Sequence, residues 1–173
     1  MRRYATERYR TFWGVAMEFL KQDCSLTLRE GLKELYLNNP EVGATSNRKG
    51  KIFRDHDLTH VIFGCDTSIN GELALKPWIL FGTTISLREV KDYAADEDVQ
   101  RLNKEGEALL GGPLVATLKI MFIFLPQFFT TWLFRVRRMR KKWPHSSISP
   151  DMLDVKISDL RSAYGIEVLP AKL

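Results

Sequence analysis

Histidine, cysteine and strand-like alternation are all scarce in this chain, and each scarcity narrows what it can be. The 173 residues contain two cysteines, Cys24 and Cys65, and no CxxC pair. That excludes a disulfide framework and a four-cysteine zinc site, and both thiols read as buried or idle groups in a reducing compartment. Period-two alternation of apolar and polar residues is nearly missing, so sheet architectures lack their sequence signal. No internal repeat, low-complexity tract or linker longer than a loop interrupts the chain, and residues 1–173 read as one domain. The N-terminal arginines are not followed by an apolar signal core, which points to a cytoplasmic protein of bacterial type.

Hydrophobic residues supply 45% of the chain and charged residues 27%, enough to build and solvate one core. The net charge of +5 comes from 26 cations and 21 anions. Six of those cations fall within residues 135–142 (RVRRMRKK), leaving 20 against 21 elsewhere. Charge is therefore one basic spot, not the extended basic face that nucleic-acid binding requires.

The local signals are helical. Apolar residues recur at helical spacing from about 9 to 22, and Thr27 with Glu30 forms a capping box that opens a helix ending at Asn38-Asn39-Pro40. Residues 43–51 (GATSNRKGK) read as a loop, followed by a helix over 52–63 that stops at Gly64. Ser86 with Glu89 caps a helical stretch running to about Leu110, before Gly111-Gly112-Pro113. Ser149-Pro150-Asp151 starts a last helix that Gly165 closes. Asn70-Gly71 is a hairpin signature, but its flanks do not alternate, so 67–71 reads as a helix–helix turn. These signals predict an all-α single-domain helical bundle.

The chemistry concentrates in residues 55–72, DHDLTHVIFGCDTSINGE. On a helix, His56, Asp57 and His60 stand at about 0°, 100° and 40°, which puts them on one face. Two imidazoles at i and i+4 with a carboxylate between them can converge on a divalent cation, and Glu72 can supply a fourth ligand from the adjacent helix. Two histidines and two carboxylates suit zinc, and less specifically iron or manganese. Asp55 and Asp66 flank the motif, either orienting the imidazoles or standing as solvated acids. His145, the third histidine, is expected to be exposed in a Trp-Pro-His loop. A metalloprotease would carry glutamate where Asp57 stands, and a His-Asp phosphohydrolase needs further histidines that the chain does not have.

HDLTH, eleven intervening residues and then Glu72 in a GELAL context resembles the signature of the coenzyme Q biosynthesis protein 4 family, with supporting similarity from near Leu32 to the closing DLRSAYGI segment. The resemblance implies an all-helical protein associated peripherally with a membrane, with zinc held by His56, Asp57, His60 and Glu72. It implies one of two roles in ubiquinone biosynthesis. One is removal of the ring carboxylate of a polyprenyl-hydroxybenzoate, with Asp57 and Glu72 as catalytic residues and Asp57 handling protons. The other is a non-catalytic lipid-binding scaffold that organises the other ubiquinone-biosynthesis enzymes, and a homo-oligomer fits either. A membrane-surface protein unconnected with quinones remains if the motif binds no metal.

Residues 114–134 (LVATLKIMFIFLPQFFTTWLF) are long enough to cross a bilayer, but Lys119, Pro126 and Gln127 interrupt them. A helix kinked at Pro126 that packs inward and also presents apolar surface to lipid or an isoprenoid tail is expected. Phe128 and Trp132, followed by Arg135, Arg137, Arg138 and Arg140, form the expected contact with anionic headgroups.

Overall fold

The computed structural model describes residues 17–169, and among them every named element is helical. After a 3-10 turn at Glu18–Leu20, the order is α1 Leu28–Asn38, α2 Pro40–Lys49, α3 Lys51–Phe63 and α4 Ile69–Pro77, the last running into a π segment, Trp78–Gly82. Then come α5 Leu87–Ala94, α6 Glu97–Leu109, α7 Pro113–Lys119, a second π segment Ile120–Phe124, and α8 Leu125–Phe134. Two 3-10 turns, Val136–Arg138 and Pro150–Asp154, precede α9 Ile157–Tyr164. Most of the helix expected over 9–22 lies outside the described residues.

Caps decide the starts. Thr27 accepts from the Glu30 amide (3.2 Å) while the Glu30 carboxylate accepts from the Thr27 amide (2.8 Å), the expected reciprocal box. The loop expected over 43–51 is instead helix α2. Pro40 at its first positions, Glu41 in the first turn and Arg48 and Lys49 in the last suit a helix, and Ser46 is buried against α3. The stretch from 86 to 110 is two helices, because Asp96 caps a new start by accepting from the Asp98 amide (2.9 Å). The last helix is also broken. Leu28 N–H donates to Val155 (3.0 Å) and Ile157 N–H to Leu26 (2.8 Å), and that extended pairing holds Val155 and Lys156 out of helical conformation. The irregularity expected at Pro126 takes the form of the π segment just before it, consistent with a proline that cannot donate to the preceding turn.

The core gathers Phe19, Leu28, Leu35, Leu58, Val61, Ile62, Phe63, Leu75, Trp78, Trp143 and Ile157. Eight of the last nine residues of α3 are buried, and Phe63 stacks on Trp78 at 4.9 Å. Through this core runs a fully buried cation, Arg161 of α9. Its guanidinium donates to the carbonyls of Ile62 (2.8 Å) and Val61 (2.9 Å) at the end of α3, and to those of Phe19 (2.6 Å) and Lys21 near the start of the described chain. A buried charge is costly unless its donors are satisfied, and here four carbonyls satisfy them. Two of these belong to the last turn of a helix, where a cation is also favoured by the dipole.

Arg161→Met removes that cation and with it a donor to four inward carbonyls, of which those of Val61 and Lys21 keep backbone bonds from Gly64 (3.4 Å) and Cys24 (3.3 Å). The expected loss is about 3 kcal/mol or more, lowering Tm by roughly 6–12 °C for a chain of this size. Thermal melting followed by circular dichroism measures it, and a drop under about 2 °C would show that the clamp is not structural.

Candidate metal centre

The chemistry of residues 55–72 is assembled by one helix end and one helix start. Gly64 follows α3 in the left-handed conformation (φ 63°, ψ 44°), and the Cys65 amide turns back to the His60 carbonyl (3.0 Å). Asp66 then accepts from both the amide (3.0 Å) and the hydroxyl (2.5 Å) of Ser68, and Ser68 caps α4 by accepting from the Gly71 amide (3.1 Å). Asn70-Gly71 is neither a hairpin nor the helix–helix turn expected at 67–71; it lies inside the first turn of α4. Gly71 has a steric reason, since a Cβ there would run into the carbonyl and carboxylate of Asp66.

This arrangement sets Glu72, in the first turn of α4, against the histidines of α3. His60 Nε2 lies 3.2 Å from Glu72 Oε1, and His56 Nε2 lies 3.9 Å from Glu72 Oε2. The ligand atoms of His56, His60 and Glu72 all fall within 4.8 Å of one another, so the three residues can hold a metal ion. The rings of His56 and His60 meet edge to face at 5.0 Å. His60 Nδ1 lies 3.1 Å from the Cys65 carbonyl, which fixes that nitrogen as the donor and aims Nε2 at the trio. His56 Nε2 is buried and has no hydrogen-bond partner among the described residues, an orphan that a metal would satisfy.

The trio is electrostatically uneven. Burial opposes a charge on His60, but Glu72 beside it more than compensates, and the ring is pushed up to about 9. Burial raises the Glu72 carboxyl, and the attraction of His60 and then His56 turns the balance downward. Its side chain is 45% exposed, so solvent moderates that pairing. His56 is the opposite case: burial, and then repulsion from His60, hold it down to about 3, neutral and ready to ligate.

Asp57 stands outside the trio. Its Oδ2 accepts from the hydroxyls of Tyr36 (2.9 Å) and Ser46, so α1 and α2 hold the carboxylate that the resemblance assigns to the metal. Its position on the helix explains this, being about 100° round from His56. Burial pushes Asp57 up to about 6, against the hydrogen bond from Ser46, the charge of His60 and the bond from Tyr36. His145 is not exposed as expected; it is 4% accessible, its Nε2 has no partner among the described residues, and burial lowers it. Asp55 is buried and ion-paired with Lys51 (2.5 Å), whereas Asp66 organises Ser68, so neither is a solvated acid and neither bonds an imidazole. Both cysteines are buried free thiols. Tyr93 of α5, which the sequence does not mark, stacks on His56 at 4.7 Å.

The other expected site divides in two. The run Pro113–Arg138 is 26 residues long and contains an 18-residue window of mean hydropathy 1.6 that is only 11% buried, long and apolar enough by length and composition to cross a membrane. Of the expected lipid contacts, Phe128 and Trp132 pack on Phe81 of the first π segment (6.0 and 5.8 Å), and Arg135 donates to the carbonyls of Glu167 (2.9 Å) and Val168 (2.6 Å). Arg137, Arg138 and Arg140 are exposed, with the Arg137 guanidinium 5.7 Å over the Trp132 ring. The outward apolar side chains are Leu114, Met121, Phe122, Ile123, Phe129 and Phe134, each at least half exposed.

Elemental mass spectrometry is expected to find about one metal per chain in the parent and in Asp57→Asn, and almost none in His60→Ala or Glu72→Ala. Gly71→Ala should lose metal with them, because Asp66 must move. Since His60 must shed its proton to ligate, log affinity for zinc should rise with a slope of about one per pH unit between pH 6 and 8; a flat titration would contradict the His60–Glu72 pairing. No family profile, curated protein or solved structure matches the chain.

Proposed function

We propose that the protein is a metal-dependent lyase of ubiquinone biosynthesis that removes the ring carboxylate of a polyprenyl-hydroxybenzoate at a membrane surface, as the coenzyme Q biosynthesis protein 4 family resemblance implies. The observation that carries the reading is the trio itself. Two imidazoles and one carboxylate converge, one imidazole nitrogen is buried without a partner, and three protein ligands leave a tetrahedral ion one position for an incoming group. Zinc is the metal proposed, with iron or manganese compatible with the same donors.

In the reaction the bond between the ring and its carboxylate carbon breaks, the electron pair stays on the ring, carbon dioxide leaves and a proton takes its place. His56, His60 and Glu72 would hold the divalent ion, which when bound would supply Lewis-acid stabilisation of the negative charge that develops. Cys65 fixes the His60 tautomer, and Glu72 holds His60 in place from the facing helix. Asp57, buried and steadied by Tyr36 and Ser46 one residue along α3 from His56, is the carboxyl that delivers the proton in this reading.

The apolar run supports a lipid-borne substrate. Glu72 stands in the first turn of α4, and the same helix continues into the π segment whose Phe81 meets Phe128 and Trp132. A prenyl tail in lipid beside that run would leave the head group to reach the trio. The same exposed run also favours the second reading, a non-catalytic scaffold at the membrane on which other ubiquinone-biosynthesis enzymes gather.

Release of carbon dioxide from a polyprenyl-hydroxybenzoate in anionic vesicles decides between them. The lyase reading predicts turnover by the metal-loaded parent and a loss of roughly a hundredfold or more in Glu72→Ala. Metal-loaded, vesicle-bound protein that leaves the substrate intact would favour the scaffold. Phe122→Asp with Phe129→Asp should weaken vesicle sedimentation in either case, and raised salt should weaken that of the parent.

A further inference from the structure

Tyr93 is placed beside a metal ligand by a helix that has almost no core of its own. None of the residues of α5 is buried. The helix is fastened instead by polar tethers: its Ser86–Glu89 capping box, a bond from the Ser146 hydroxyl to Glu89, and, just beyond its end, ion pairs from Lys49 to Asp96 (2.9 Å) and from Arg48 to Asp98 (2.8 Å). Yet from this exposed helix one large ring turns inward. Tyr93 lies nearly parallel to His56, with centroids 4.7 Å apart and planes at 28°, and Phe53 of α3 backs it at 5.4 Å.

The phenol is only half of that contact. Shielded tyrosine hydroxyls normally find a hydrogen-bond partner, and that of Tyr36 does so with Asp57. The Tyr93 hydroxyl, on a partly buried side chain, has no hydrogen bond among the described residues and is not one of the buried atoms left without a partner, so it is open to solvent. An open phenol on a ring that steadies His56 offers an incoming group a neutral donor on a rigid arm with few rotatable bonds.

We propose that Tyr93 is the ligand-contacting residue of the metal centre: its face steadies His56, and its hydroxyl donates a hydrogen bond to a carboxylate that enters beside that ring. The inference rests on the proposed reading of the trio as a metal centre for a carboxylate substrate and extends it by naming the residue that meets that carboxylate.

Cobalt-loaded protein titrated with acetate tests this through the cobalt visible spectrum, independently of any reaction on a prenylated substrate. Tyr93→Phe keeps the ring and so the stack on His56. It is expected to bind the same amount of cobalt with the same starting spectrum, and to hold acetate roughly tenfold more weakly than the parent, the usual worth of one hydrogen bond to a charged group. Equal acetate affinity in the two proteins, or no response to acetate in the parent, overturns the role of Tyr93 while leaving the decarboxylation assay to decide the lyase reading. A tenfold difference without carbon dioxide release would leave Tyr93 in place and remove that reading. Failure of the parent to take up cobalt would overturn the centre and Tyr93 together.

Discussion

The guanidinium of Arg161 sets the end of α3, and the geometry of the candidate centre follows from that end. Arg161 takes the carbonyls of Val61 and Ile62 at the buried end of α3 and ties them to those of Phe19 and Lys21. With the last turn fixed, Gly64 can reverse the chain in a left-handed conformation closed to most side chains, and a Cβ there would also meet Val168. The reversal brings the Cys65 carbonyl to His60 and Asp66 to Ser68. One path therefore leads from a buried cation to the tautomer of one ligand and to the helix start that carries another. Of the three side chains that could hold a metal only Glu72 is substantially exposed, and what aims them is core.

Within the centre, the two residues that need holding hold each other. His60 and Glu72 are partners across the gap between α3 and α4, so each keeps its place without an ion between them. His56 contributes no charge and stands between the rings of His60 and Tyr93, its Nε2 3.9 Å from Glu72 and without a hydrogen-bond partner among the described residues. Such an arrangement is preorganised for an ion at the cost of one displaced proton. Asp57 faces away toward Tyr36 and Ser46, which separates the group suited to proton handling from the groups suited to ligation.

How much of this was legible in the sequence divides along the range of the interactions. The capping boxes at Thr27 and Ser86, the stop at Gly64 and the i, i+4 histidines with Glu72 are local patterns, and the structure contains each of them. The all-helical fold was legible for the same reason. What escaped was set by distant partners. Residues 43–49 are polar enough to read as loop, but burial of Ser46 against Asp57 makes them helix. Val155 and Lys156 leave the helix because Leu26 and Leu28 pair with their strand-like backbone. Spacing puts Asp57 about 100° round from His56, at the margin of the histidine face, and it cannot reveal that Tyr36 and Ser46 take the carboxylate. Nor does a Trp-Pro-His loop disclose that His145 is buried, or an aromatic run that Phe128 and Trp132 turn toward Phe81.

The most direct test of the central claim is the coordination shell of the bound metal, read by X-ray absorption at the zinc edge on the loaded protein. Two imidazole nitrogens, one carboxylate from Glu72 and one exchangeable oxygen, with the spectrum unchanged in Asp57→Asn, is the shell that this geometry predicts. A closed shell of four protein ligands that loses an oxygen when Asp57 is replaced, or a zinc ion bound without histidine, would contradict it.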